Sequence, residues 1–164
     1  MSSPIDTREH LHGLLKTFDT AMVVSLAADG SMHARPMAIA ELLADGDAYF
    51  VTSIDSPKVA EIRANSAVTL SFQSPRQFVC IAGHATVVRD QALVDRLWQE
   101  MWKLWFPDGQ SDPSIAMIKF EAQHGEYWDN AGVQGLKFLY RAAKAYAKGE
   151  QPESDPQQHA KVQL

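Results

Sequence analysis

Hydroxyl groups and a lysine follow directly on an apolar segment in the stretch from Tyr49 to Lys58. Its first four residues favour a strand, because aromatic and β-branched side chains fit a pleated surface. Ser56 and Pro57 are typical of the N-cap and the first residue of a helix. A turn that combines hydroxyls, helix-start amides and a lysine is suited to holding a phosphate group. The simpler alternative is that Ser56 only caps the helix and that Lys58 is a solvated charge.

A second cation, Arg35, lies on a predicted strand directly before Pro36. A guanidinium offers a rigid fork of donors that matches a phosphate, whereas a lysine adds a point charge. The alternative for Arg35 is an ion pair on the protein surface. For Thr52 and Ser53, the alternative is that strand-end hydroxyls bond to the backbone. Arg35 and Lys58 are the two cations that the predicted topology brings nearest to each other.

Acid–base chemistry has no clear candidate in this sequence. His33, His84 and His124 lie on or beside predicted strands, where a surface or hydrogen-bonded role is the commoner one. No histidine–carboxylate pair or activated nucleophile is visible, and the histidine spacing differs from metal-binding patterns such as His-Glu-x-x-His. We therefore assign no catalytic residue and predict no metal site.

Composition limits the classes of protein to which the chain can belong. Its 164 residues are 46% hydrophobic and 21% charged, as in one ordinary globular domain. The net charge of −5 argues against nucleic-acid binding, which usually needs a basic face. One cysteine, Cys80, lies in an apolar run and is expected to be a buried, inert thiol. No signal peptide and no membrane-spanning run is visible, so we expect a cytoplasmic protein that does not associate with membranes.

The predicted elements alternate between hairpins and isolated helices, which is an α+β pattern. Gly83, in the middle of a long predicted strand, indicates a bend or a close backbone approach. We expect one domain over residues 1–148 and a disordered, polar tail over 149–164. Helices are predicted over 6–18, 57–65, 90–104 and 133–147, and strands over 21–27, 31–43, 48–52, 67–73, 78–89 and 115–122; residues 125–130 form another strand or the exit of the preceding one.

Four aromatic residues on or near the third predicted helix are open to three interpretations. Trp98 and Trp102 are four residues apart, Trp105 follows three later, and Phe106 is next to it. The three interpretations are that they form a wall for a cofactor, that they form a dimer face, and that they belong to the hydrophobic core. Core or dimer packing is favoured, because aromatic stripes at helical spacing usually bury area.

Several motifs in this order resemble the FMN-binding split-barrel superfamily, which contains pyridoxamine 5′-phosphate oxidase. The resemblance covers about residues 6–147 and is greatest for the bacterial general stress protein branch. The motifs are His33-Ala34-Arg35-Pro36-Met37, Tyr49-Phe50-Val51-Thr52-Ser53, Ser56-Pro57-Lys58-Val59-Ala60-Glu61-Ile62, Trp105-Phe106-Pro107 and Glu126-Tyr127-Trp128-Asp129.

The resemblance implies a six-stranded antiparallel split β-barrel with flanking helices. It also implies a homodimer with FMN, or alternatively FAD, bound at the interface. For the phosphate and ribityl chain it nominates Arg35, Thr52, Ser53, Ser56 and Lys58. For the isoalloxazine ring it nominates Pro36, Met37, Phe50, Val51, Gln73 and, from the partner subunit, Trp128.

The sequence departs from the oxidases at two places. Ser56-Pro57-Lys58 replaces their Ser-Arg-Lys triplet, and no counterpart of their C-terminal arginine-and-histidine substrate motif is visible. Both departures argue against true pyridoxamine phosphate oxidase activity. The function implied is a flavin-dependent oxidoreductase linked to the general stress response; the alternative is a non-catalytic flavin carrier, sensor or interaction protein. A changed ligand, such as F420 or haem, ranks lower because no extended basic pocket or obvious axial histidine is present.

Overall fold

Alternating burial along the strands gives this chain a sheet with one face turned to the core. The computed structural model describes residues 6–164. The strands are β1 (Thr20–Leu26), β2 (Met32–Ala38), β3 (Glu41–Leu42), β4 (Ala48–Ser53), β5 (Ala67–Gln73), β6 (Gln77–Val88), β7 (Ile115–Asp129) and β8 (His159–Gln163). The α-helices are α1 (Thr7–Leu15), α2 (Pro57–Ala64), α3 (Gln91–Leu97) and α4 (Gly132–Lys148), and the 3-10 helices are η1 (Glu100–Leu104) and η2 (Gly109–Ser111).

The strands form one antiparallel sheet in the order β2-β1-β5-β6-β7-β4-β3, and β8 also pairs with β7. The sheet curls into a half-barrel flanked by the helices, so the fold is an α+β split barrel. The described residues form eight strands rather than the expected six. The increase comes from β8 and from a break of the predicted strand 31–43 into β2 and the short β3.

Strand β7 is the long central element and merges the two segments predicted over 115–122 and 125–130. Along one edge it pairs first with β4 and then with β8, while β6 lines its other edge. The β6–β7 register shifts at Ala82 and Gly83. A Cβ atom on Gly83 would lie 2.1 Å from the carbonyl oxygen of Glu121. The close backbone approach predicted for Gly83 is therefore confirmed.

Helix α1 covers part of the core, where it contacts β6, β7 and β8. The Asp6 carboxylate accepts hydrogen bonds from the amides of Arg8 and Glu9, which fixes the helix start. Its inward face buries three leucines against the aromatic centre of the sheet. The largest fully buried side chains of this core are Leu11, Leu15, Phe50, Phe72, Phe120 and Tyr127.

The predicted helix over 90–104 is wrong in its second half. Asp90 caps α3 as expected, but Trp98 has extended backbone angles and ends the helix. The chain then restarts as η1, which turns the aromatic residues of this segment towards β2 and β4. Among the described helices, none is long and apolar enough to cross a membrane.

The disordered tail expected over 149–164 is also wrong, because His159–Gln163 forms β8. Backbone pairing joins β8 to β7, and Val162 is buried in the core. The Tyr127 hydroxyl donates to the carbonyl of Pro156, which ties down the segment before the strand. The polar composition of residues 149–164 does not indicate strand β8. One buried valine and main-chain hydrogen bonds to β7 suffice to hold a five-residue edge strand.

Candidate functional site

A cleft of about 490 Å³ lies between β2, β4, the start of α2 and η1. Its size falls within the range of small-molecule sites. One end carries the basic and hydroxyl side chains, and the walls are mainly apolar. The lining residues are Arg35, Pro36, Met37, Ala38, Val51, Thr52, Ser53, Ser56, Lys58, Gln99, Met101, Trp102, Trp105 and Phe106. The structure thus brings together eight of the eleven nominated residues.

The hydroxyl end of the cleft is built by the turn from β4 into α2. The Lys58 Nζ atom donates to Thr52 Oγ1 at 3.2 Å, and Thr52 Oγ1 lies 3.1 Å from Ser56 Oγ. Ser56 does occupy the N-cap position of α2, but its side chain makes no capping hydrogen bond. The alternative in which Ser56 serves only as a helix cap is therefore wrong, and its hydroxyl belongs to the cleft.

The Lys58 ammonium is the cation of the cleft that carries no carboxylate partner among the described residues. Its pKa is lowered, first by burial and then by the positive charge of Arg35. No ion pair between described residues includes Lys58. A half-buried ammonium that forms no ion pair among the described residues favours the binding of an anion, which would restore the charge balance.

Arg35 is held by Glu61, a residue that sequence reasoning missed. Its guanidinium donates to Glu61 Oε2 at 2.8 Å and to Ser25 Oγ at 2.5 Å. The same carboxylate lies 2.6 Å from His33 Nδ1 and accepts from the Ser25 hydroxyl. Arg35 thus forms an ion pair, as the alternative interpretation expects, and it also lines the cleft. An available signal was that Glu61 stands directly before Ile62 on the inward face of α2.

These contacts hold the pKa of Glu61 at about 2, against an ordinary value of 4.5; the hydrogen bond from Ser25 contributes most, followed by those from His33 and Arg35. A lowered pKa means that the ionised carboxylate stabilises the fold above about pH 4.5, and that this stabilisation is lost as the pH falls towards 2.

We therefore expect Glu61→Gln to lower the free energy of unfolding at pH 7 by about 1–2 kcal/mol, after allowance for solvent screening. The difference from the wild type should shrink as the pH falls from about 5 to about 2, because the wild-type carboxylate becomes protonated. Urea unfolding at a series of pH values measures this difference. Glu153→Gln, at an exposed position, is the matched control. A difference that stays constant with pH would contradict the expectation.

The apolar wall of the cleft explains the aromatic residues after α3. Trp102 and Phe106 are almost completely buried, yet both line the cleft, so core packing and a wall for a ligand are combined. Trp98 packs edge-on against Trp102 with ring centroids 5.7 Å apart. Trp105 is 64% exposed at the rim. The expectation that these aromatic residues serve core or dimer packing therefore describes only part of their role, because they also line the cleft.

Three nominated residues do not line the cleft of their own chain. Phe50 points into the core, because the pleat of β4 turns its neighbour Val51 outwards to the cleft. Gln73 ends β5 on the outer face of the sheet, in register with Phe78. Trp128 is opposite Phe78 on β7 and stacks on the His159 ring. Gln73 and Trp128 thus share one outer row of the sheet.

The structure forms three histidine–carboxylate pairs, although none is visible in the sequence. His33 pairs with Glu61, and two further pairs join His10 to Asp129 at 3.1 Å and His159 to Glu126 at 2.8 Å. The partners in each pair lie at least 28 residues apart in the chain, so spacing alone could not reveal them. None of the six residues lines the cleft.

Comparison with known proteins agrees with this architecture. The model of the family "Pyridoxamine 5′-phosphate oxidase like" matches residues 6–153. No protein with curated annotation matches the sequence. The structure of the general stress FMN/FAD binding protein from Xanthomonas citri is 31% identical, with a TM-score of 0.65, and the match covers 77% of this chain and 91% of that one.

Two other solved structures extend the comparison. A general stress family protein from Xanthomonas campestris is 30% identical, with a TM-score of 0.67, over 80% of this chain and 92% of that one. A general stress protein 26 from Jannaschia is 23% identical with a TM-score of 0.72, and its match covers 97% of this chain and 99% of that one. The chain belongs to the pyridoxamine 5′-phosphate oxidase-like family, in its general stress protein branch.

Proposed function

We propose that the cleft binds FMN, with the phosphate at the Lys58 end and the flavin ring against the apolar wall. The observation that carries the proposal is the joining of Lys58, Thr52 and Ser56 into one connected donor set at the end of an aromatic-lined cleft. FMN has the same division into a phosphate dianion, a polyol and a flat apolar ring. A relative with 31% identity is named an FMN/FAD binding protein.

The residues present fit this cofactor in charge and in shape. Lys58 and Arg35 supply two cations, and Glu61 neutralises one of them, so the phosphate end has a net positive charge. Hydroxyl groups of Thr52, Ser53 and Ser56 offer donors for phosphate oxygens or the ribityl chain. FAD shares the flavin ring, but its second nucleotide would extend beyond this donor set.

We further propose a homodimer that assembles through the outer face of the sheet. Met22, Ser71 and Cys80 stand side by side in register across β1, β5 and β6, and the same row reaches Pro36 at the cleft. From β2 to β6 this row is uncharged, which suits the core of an interface, and Glu126 continues it on β7. The outer row with Trp128 lies on the same face of the sheet, two residues further along β5, β6 and β7. In a two-fold interface formed by this face, that row would also face the partner.

Bound in this cleft, FMN would supply hydride or electron transfer, and the protein would supply binding and orientation. Lys58 and Arg35 would hold the phosphate, and Trp102 and Phe106 would exclude water from one side of the ring. We propose an oxidoreductase of the general stress type.

The carrier alternative is favoured by one observation: the described lining contains no histidine, carboxylate or cysteine that could move a proton. Steady NAD(P)H oxidation by the FMN-loaded protein would support the enzyme, and an unreactive bound flavin would support the carrier.

Titration with FMN and with riboflavin tests the placement of the phosphate. The two ligands share the ring and the polyol, so their affinities differ by the contribution of the phosphate alone. We expect FMN to bind at least about tenfold more tightly than riboflavin, because each charge-assisted hydrogen bond contributes about 1.5–3 kcal/mol. Flavin fluorescence quenching measures both dissociation constants. Equal affinities would show that the donor set is not a phosphate site.

A further inference from the structure

Helix α4 carries an apolar stripe that nothing in the described chain covers. Five large side chains are between 65% and 90% exposed: Val133, Leu136, Leu139, Tyr140 and Tyr146. At 100° per residue they fall within an arc of about 140°, which Ala143 and Ala147 complete. The opposite side of the helix, with buried Ala145, faces the segment that follows the helix, where Gln134 and Arg141 hydrogen-bond to Gln157 and Asp155.

A second uncovered apolar patch lies on η1 at the rim of the cleft. Met101, Leu104 and Trp105 are 58%, 77% and 64% exposed. The η1 patch and the α4 stripe together expose on the order of 1,000 Å² of mainly apolar surface, compared with about 800 Å² per partner in a standard interface. Both surfaces are therefore large enough to belong to a stable contact.

We propose that the α4 stripe of one protomer docks on the η1 patch of its partner and so covers the flavin cleft. The proposal rests on the homodimer of the proposed function. Chain continuity supports it, since α4 begins at Gly132, only three residues after Asp129 ends β7. If Trp128 faces the partner, the start of α4 must lie close to the partner as well.

Charge favours a second copy of this chain as the occupant. Helix α4 contains four basic residues and no acidic one, so the other residues of a chain with net charge −5 together carry −9. The negative charge of the residues outside α4 attracts the basic α4 helix of another copy. An anionic membrane would instead repel this negatively charged part of the chain. In addition, the basic residues lie on one flank of the stripe only, and Arg141 is already paired with Asp155 at 2.5 Å.

Cross-linking between two differently marked chains tests the contact. Cys80 is the only cysteine, so Cys80→Ser gives a thiol-free full-length chain; because Cys80 lies in the proposed interface row, light scattering first has to show that this chain forms the same dimer as the wild type. One tagged version then carries Leu139→Cys on α4, and an untagged version carries Leu104→Cys on η1. After mixing, a short bismaleimide should join a tagged to an untagged chain. Lys148→Cys, on the opposite flank of α4, is the control and should give at least about fivefold less product.

Light scattering and flavin titration separate the possible failures. A dimer that binds FMN but gives no Leu139–Leu104 product, or equal product with Lys148→Cys, would overturn the α4 contact and leave the proposed function intact. A chain that binds FMN as a monomer would overturn both the contact and the dimer. Leu139→Glu should also raise the dissociation constant of the dimer by at least about tenfold, because it places a carboxylate in an apolar contact. An unchanged dissociation constant would contradict the proposal.

Discussion

Replacing Lys58 with alanine is expected to weaken FMN binding by about 10- to 100-fold, and replacing Arg35 as well by about 100- to 1,000-fold. Each charge-assisted hydrogen bond to a phosphate contributes about 1.5–3 kcal/mol, and 1.4 kcal/mol corresponds to a factor of ten. Lys58 should have the larger effect of the two, because its charge is not neutralised by a carboxylate, whereas Arg35 is already paired with Glu61. Flavin fluorescence titration measures both variants.

Two controls separate phosphate binding from general damage. Lys16→Ala removes an exposed lysine at the end of α1, away from the cleft and from α4, and should leave the FMN affinity unchanged. Riboflavin affinity should change less than FMN affinity in Lys58→Ala, since riboflavin has no phosphate. Arg35→Ala leaves the buried Glu61 carboxylate without its main ion pair, so its fold has to be checked by circular dichroism. An FMN affinity that is unchanged in the double variant would contradict the site assignment.

Replacing Gly83 with alanine is expected to destabilise the fold by about 3 kcal/mol or more, or roughly 10 °C in Tm. The added Cβ would meet the Glu121 carbonyl oxygen at 2.1 Å and the Phe120 ring at 2.9 Å. The carbonyl belongs to β7, so relief of the clash would require β6 and β7 to separate at their register shift. Urea unfolding followed by circular dichroism measures the loss.

Gly13→Ala is the matched control for this prediction. Gly13 lies inside α1, and a Cβ there meets nothing within 4 Å. Alanine should therefore stabilise the protein by about 0.5–1 kcal/mol, because it reduces the flexibility of the unfolded chain and favours the helix. A free energy of unfolding of Gly83→Ala within about 0.5 kcal/mol of the wild-type value would contradict the close approach of β6 and β7.

Local chemistry made much of the fold and one end of the site predictable. The hairpin strands and the Ser56-Pro57 helix start follow from residue preferences that act over a few positions. The hydroxyl–lysine turn is equally local, since β4 leads directly into α2. The family resemblance added the six ring-facing residues, of which the structure places three, Pro36, Met37 and Val51, in the cleft.

Two of the missed features depend on contacts between distant parts of the chain. Glu61 holds Arg35 across 26 residues, and no local pattern records that pair. The β8 strand forms because β7 offers it an edge, although its own composition resembles a disordered tail. The resemblance nominates Phe50 for the flavin ring, whereas the pleat of β4 turns alternate residues inwards and buries Phe50 in the core.

The most direct test of the proposed function is the visible absorption spectrum of the purified full-length protein after incubation with FMN and desalting. The account predicts flavin bands that stay with the protein, at about one flavin per chain, and that are lost from the variant with both Arg35→Ala and Lys58→Ala. A colourless protein after desalting would contradict the assignment of the cleft as a flavin site, and a haem spectrum from the untreated protein would assign the cleft to a different ligand.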